Sequence, residues 1–188
     1  MTPDFAKSFP LRRARVHEVC GPSAASFAAV CAARSQSTVL WIREAWRAEN
    51  LNPLGLTPFF DPVRLLVAQV KDQVEGLAVA EEALRDGSTP LVIQQISEPM
   101  DLIHGRRLQL SAKAGKSTGL CIIPDGMGSN AAESRWHCTP IFDPFSAPGD
   151  STLQRWELIK NKSGTLGSWH VRWDAAARRL NLVSQTRE

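Results

Sequence analysis

The sequence predicts an α/β fold: a mostly parallel sheet flanked by helices, extended at its C-terminal end by antiparallel strands. Three observations predict it. As far as residue 123, short apolar runs alternate with helical patterns, the signature of strand–helix–strand units. Runs such as Val39-Leu40-Trp41-Ile42 and Leu91-Val92-Ile93 are apolar at every position, as strands covered on both faces are. Beyond Asp125 the texture changes to short strands separated by turn residues, which reads as an antiparallel edge.

The elements follow in order. Residues 16–20 form a first strand, ended by Gly21-Pro22. Ser23 is the expected cap of an Ala-rich helix over 24–33. The second strand is 39–42; residues 52–58, broken by Pro53, Gly55 and Pro58, are loop or short helix; the third strand is 64–70. A helix over 73–85 turns Val74, Leu77, Ala80 and Leu84 inward and stops at Gly87. Strand 91–93 leads to a helix over 99–114 with Met100, Ile103, Leu110 and Ala114 inward. Strand 120–123 closes at Pro124-Asp125-Gly126. The antiparallel part comprises strands at 135–142, 153–161, 168–173 and 180–184, with hairpin connections at 161–164 and 174–177. Residues 143–151 are the one loose linker, and no internal repeat is present. The chain divides into an N-terminal arm, 1–15, and a single domain, 16–188.

Composition bounds the function. The 188 residues are 43% hydrophobic and 22% charged, enough for one domain with a real core. No apolar run approaches the ~20 residues that span a bilayer, so no membrane partner is expected. Residues 1–15 lack the apolar stretch of a secretory signal. Cys20, Cys31, Cys121 and Cys138 are scattered, which favours reduced thiols and a cytoplasmic location. His17, His104, His137 and His170 share no ligand spacing with them, so neither metal nor cofactor is expected. A net charge of +3 permits contact with nucleic acid without arguing for it.

The segment from Val16 to Ala28 carries the most information. A β-branched strand enters a Gly-Pro turn and leaves in a helix of small residues, the layout of a phosphate-binding loop. That chemistry requires G-x-x-x-x-G-K-[ST], with Lys reaching the outer phosphates and Ser/Thr holding Mg²⁺. Counting from Gly21, which Pro22 follows, the second Gly is Ser26, the Lys is Phe27 and the Ser/Thr is Ala28. The shape is kept while the charge and the metal ligand are lost, and Phe27 is expected to fill the vacated space. A second candidate, Ala114-Gly115-Lys116-Ser117-Thr118-Gly119, fails on spacing and precedes a strand. It reads as a helix C-cap turn with Gly115 left-handed.

The residues carry a family likeness. Glu18-Val19-Cys20-Gly21-Pro22-Ser23 resembles the strand and phosphate turn of RecA recombinases. Residues 81–87 followed by Leu91-Val92-Ile93 resemble the helix before their Walker B strand, and Leu158-Ile159-Lys160-Asn161-Lys162 is similar to a late RecA strand. Within that superfamily the detail fits the ImuA branch: Val39-Leu40-Trp41-Ile42-Arg43, the stretch Phe60 to Leu66, Glu133-Ser134-Arg135-Trp136, Arg155-Trp156-Glu157-Leu158 and Gly167-Ser168-Trp169-His170-Val171. The resemblance implies a RecA-like P-loop fold and a non-hydrolysing adaptor in SOS-induced translesion synthesis. The implied partners are an ImuB-like inactive polymerase and an error-prone replicative polymerase, with RecA and DNA as further candidates. The alternative is a SulA-like division inhibitor that binds the tubulin-like division GTPase. The chain departs from RecA at Phe27 and Ala28, at the missing Asp after 91–93, and at Pro124-Asp125 where RecA has a nucleotide-sensing Gln. No catalytic residue, and no ATPase activity, is therefore expected.

Two sets of surface candidates remain. Arg106, Arg107, Lys160 and Lys162 are the best basic residues for nucleic-acid phosphates. Phe5 and Phe9 lie in an arm with nothing local to pack on, and RecA-fold proteins dock such arms on a neighbour. With Trp156 and Trp169 they are the expected partner-binding aromatics.

Overall fold

The computed structural model describes residues 4–147 and 149–183. The first three residues of the arm, Pro148 of the linker and Ser184 of the last expected strand lie outside the described residues. The chain runs β1 (Val16–Cys20), α1 (Ala24–Ser35), β2 (Val39–Glu44), α2 (Pro53–Leu56), β3 (Leu65–Val70), α3 (Gln73–Asp86), β4 (Leu91–Gln95), α4 (Leu102–Gly115), β5 (Thr118–Ile122), β6 (Ser134–Pro140), β7 (Gln154–Asn161), β8 (Gly167–Asp174) and β9 (Arg179–Leu182).

All the strands join one sheet in the order β3-β2-β4-β5-β1-β6-β7-β8-β9. The pairs from β3 through β6 are parallel, and β7, β8 and β9 add antiparallel strands beyond β6. The predicted fold class is the observed one. Helix α1 covers one face, packing Phe27, Ala28 and Val30 with Val19, Trp41, Trp136 and Trp156. Helices α3 and α4 cover the other, packing Leu77, Leu84 and Leu108 with Val16, Ile42 and Val92. The chain leaves β1 over one face and reaches β5 over the opposite one. The crevice at their C-terminal ends is where such sheets bind ligands, and the Gly21 turn sits there.

Several helix details differ from expectation. Ser23 precedes α1 but makes no side-chain capping bond, whereas Asp72 and Asp101 cap α3 and α4 at Glu75 and His104. In α3 the inward face is Gly76, Leu77, Ala80 and Leu84, and Val74 is exposed. In α4 the inward face is Gly105, Leu108, Ser111 and Ala112; Ile103 and Leu110 are each 68% exposed. The physical reason is close approach: a Cβ on Gly105 would lie 2.6 Å from Ser129 Oγ, so α4 packs through small residues around Leu108 and turns Ile103 and Leu110 out. Gly87 ends α3 as expected at φ 75°, but at the end of α4 the left-handed residue is Lys116, not Gly115.

Candidate functional site

The turn after β1 is short. Gly21 has φ +90°, and a Cβ there would sit 2.5 Å from the Cys138 carbonyl oxygen, so only glycine fits. The Ser23 amide donates to that same carbonyl at 3.0 Å, the Ala24 amide to Gly21 O at 3.0 Å, and the Phe27 amide to Ser23 O at 3.0 Å. Helix α1 starts at Ala24, three positions before the residue that aligns with the phosphate-binding Lys. Three backbone N–H groups of the turn, those of Ser23, Ala24 and Phe27, are thus bonded inside the protein and not turned toward a phosphate.

The side chains close the same place. Phe27 and Ala28 are fully buried. The Phe27 ring lies 4.5 Å from Trp156, 5.5 Å from Trp136 and 5.8 Å from Phe9, centroid to centroid. The Lys position of the loop is thus the hub of an aromatic core between α1 and strands β6 and β7.

Beside it, the ends of β2 and β4 hold a buried polar group that sequence reading missed. Arg43, Glu44 and Gln94 are each less than 5% exposed. Arg43 donates to Asn50 Oδ1 at 3.0 Å and to Arg47 O at 2.8 Å, and Arg47 stands 3.6 Å from Glu44. Gln94 Oε1 and Gln95 Oε1 are buried without a hydrogen-bond partner. No Asp stands at the end of β4. The available signal was Arg43-Glu44 directly after a fully apolar run, charges at a depth where charges are rare.

On the other side of β1, Glu18 has no solvent exposure; it accepts from Arg135 Nε at 2.7 Å and from the Ser129 amide at 2.8 Å. Next to it His17 contacts Ser134 Oγ at 2.6 Å and the Arg12 carbonyl at 2.9 Å. Burial lowers its pKa to about 4, so the ring is neutral at pH 7. Cys20 is pushed up to about 12 by burial and then by its hydrogen bond to Asp125, so it is no nucleophile at neutral pH. All four cysteines are buried and unpaired as disulfides. His137 lies 3.7 Å from Asp125 and 3.5 Å from Glu157, and among the described residues no group of His, Cys, Asp and Glu has metal-binding geometry.

The surface candidates are placed differently from expectation. Phe9, Trp156 and Trp169 are 4%, 1% and 6% exposed, and Phe5 packs 5.4 Å from Phe9 and 5.3 Å from Trp169. The arm therefore docks on its own domain, and these four aromatics, expected to face a partner, form intramolecular core. The reason is that the α1–β7–β8 side of the sheet leaves an apolar recess which the arm fills. Of the basic candidates, Arg107 is paired with Glu81 at 2.8 Å. Lys160 donates to the carbonyls of Asn130 and Ala132, and Lys162 to that of Ala131 at 2.7 Å. Burial, and then Lys162, lowers the pKa of Lys160. Arg106 and Lys162 come together across a groove beside α4, and Arg107 lies apart from them.

With this geometry in view, comparison with known proteins narrows the reading. The chain is 28% identical over 171 residues to Protein ImuA of Caulobacter vibrioides, in strain NA1000/CB15N and equally in strain ATCC 19089/CB 15. The match covers 81% of this chain and 68% of the relative. Among solved structures it resembles the RadB recombinase with a TM-score of 0.66 over 92% of both chains, at 14% identity. The fold is RecA-like. No family model matches. No helix among the described residues is long and apolar enough to cross a membrane.

Proposed function

This ImuA-like chain, we propose, is a non-hydrolysing adaptor in damage-induced mutagenesis. In this reading it binds an ImuB-type polymerase-like protein, and with it an error-prone replicative polymerase, in the cytoplasm; RecA and DNA are further contacts. One observation carries the proposal: the phosphate loop is closed. Its Lys position is Phe27, buried among Trp136, Trp156 and Phe9, and the Ser23, Ala24 and Phe27 amides are donated to protein carbonyls. Phosphoryl transfer depends on positioned positive charge and Mg²⁺ at the β and γ phosphates. Here the Lys position is Phe27 and the Ser/Thr position is Ala28, and β4 ends in Gln94-Gln95 in place of an Asp. A chain that keeps the fold and lacks these groups has its surfaces left to work with.

The test is affinity purification of the tagged protein from DNA-damaged cells at two salt concentrations, with partners identified by mass spectrometry. Recovery of an ImuB-type protein at both salt concentrations is expected. Recovery of the division GTPase in its place contradicts the adaptor reading and supports a SulA-like inhibitor.

A further inference from the structure

Among the described residues no element covers the outer face of α4, and its composition is unusual. Ile103, Arg106, Leu110 and Lys113 recur at spacings of three and four, which places them in one stripe along the helix. Ile103 and Leu110 are 68% exposed and Leu102 is 43% exposed. A lone exposed aliphatic is ordinary, but a row framed by charge marks an interaction surface. The helix carries Arg106, Arg107 and Lys113 and no carboxylate. Arg107 is taken by Glu81. Arg106, Lys113 and Lys162 have no carboxylate partner among the described residues. Between α4 and the hairpin bearing Lys162 runs an open groove of ≈ 460 Å³, lined by Leu102, Arg106, Leu110 and Lys162 among others.

We infer that this face docks an acidic amphipathic helix of a partner protein. Aliphatic residues of that helix seat against Ile103 and Leu110, and its carboxylates meet Arg106, Lys113 and Lys162. Single-stranded nucleic acid fits less well. It binds through phosphate contacts and stacking on exposed aromatic rings, and the stripe offers aliphatic side chains where rings are needed. The inference rests on the adaptor reading and names the surface that reading requires.

The experiment uses the full chain with the ImuB-type protein of the same organism. Binding is measured for wild type, Leu110→Glu, Arg106→Glu and, as an exposed control far from α4, Val63→Ser. Circular dichroism and thermal melting confirm that each variant folds; both α4 residues point to solvent, so neither substitution disturbs the core. Leu110→Glu and Arg106→Glu are expected to weaken binding about 30-fold or more, the size of an interface hot spot, with Val63→Ser unchanged. Wild-type affinity in both α4 variants overturns the inference and leaves the adaptor reading standing. A photo-crosslinking amino acid at position 103, used in damaged cells, separates the two claims. An adduct mapped to an acidic amphipathic segment supports the docking face, even if wild type shows no affinity for the ImuB-type protein and the adaptor reading falls. An adduct to nucleic acid or to a basic segment, or no adduct at all, overturns it.

Discussion

Glu18 and His17 are adjacent on β1, face opposite sides of the sheet, and meet burial in opposite ways. The Glu18 carboxylate accepts from the Arg135 guanidinium and the Ser129 amide. Removing one partner of a buried pair leaves the other uncompensated, which typically costs about 3–5 kcal/mol. Arg135→Met is therefore expected to destabilise by that amount, read as a lower urea midpoint, while Glu18→Gln with Arg135→Met recovers part of it. His17 stays neutral instead. A carbonyl can only accept, so Nε2–H donates to Arg12 O, and Nδ1 accepts from the Ser134 hydroxyl. Its pKa is lowered from 6.5 to about 4 on folding. Between those values the unfolded chain binds the proton and the folded one does not, so stability falls as pH drops from 6.5 and the loss is complete below 4. The size of the effect is about 3 kcal/mol. Urea unfolding at pH 7, 6 and 5 is expected to show this decline, and His17→Gln to flatten it.

At the scale of elements, the arm and the helices behave unlike isolated segments. Phe9 stands over Phe27 and Trp156 and is itself covered by the Arg34 guanidinium at 5.7 Å. Losing a buried Phe side chain costs about 3–5 kcal/mol. Phe9→Ala is expected to lower stability by that amount and to shift tryptophan emission to the red, because Trp156 gains water. An arm that merely rested on the surface would change neither. Helix α4 shows the limit of reading faces from apolar residues. Counting Ile103 and Leu110 as inward assumes that large aliphatics face the core. A helix that approaches its neighbours through Gly105, Ser111 and Ala112, with Leu108 as its one large inward side chain, departs from that pattern, and the close approach to Ser129 that requires it lies outside the helix.

Across the whole molecule, the strands were legible where turn chemistry fenced them. Gly21-Pro22 ends β1, and the fully apolar runs of β2 and β4 mark strands covered on both faces, so the parallel core and the antiparallel edge followed from the sequence. The departures of positions 26, 27 and 28 from the phosphate-loop pattern were legible too, since they depend only on spacing from Gly21. That Phe27 would fill the loop was legible as well; the aromatic neighbours that enclose it were not. Phe27 meets Trp136 and Trp156 of strands far downstream, and the recess for Phe5 and Phe9 exists only once β7 and β8 are in place. The polar group of Arg43, Glu44 and Gln94 was hidden for the same reason, because its depth is set by the neighbouring strands. The contacts of the basic residues separate only in the fold: Lys160 and Lys162 brace the loop at 130–132, and Arg107 braces α3.

The proposal that the phosphate loop is closed and idle is checked by phosphate release from ATP with Mg²⁺ and single-stranded DNA present, comparing wild type with a loop variant, Ser23→Pro, checked for folding. Release from wild type equal to a protein-free blank is the predicted result. Release well above the blank that disappears in the loop variant would contradict the claim, because it would require a working phosphate site where Phe27 and Ala28 now stand.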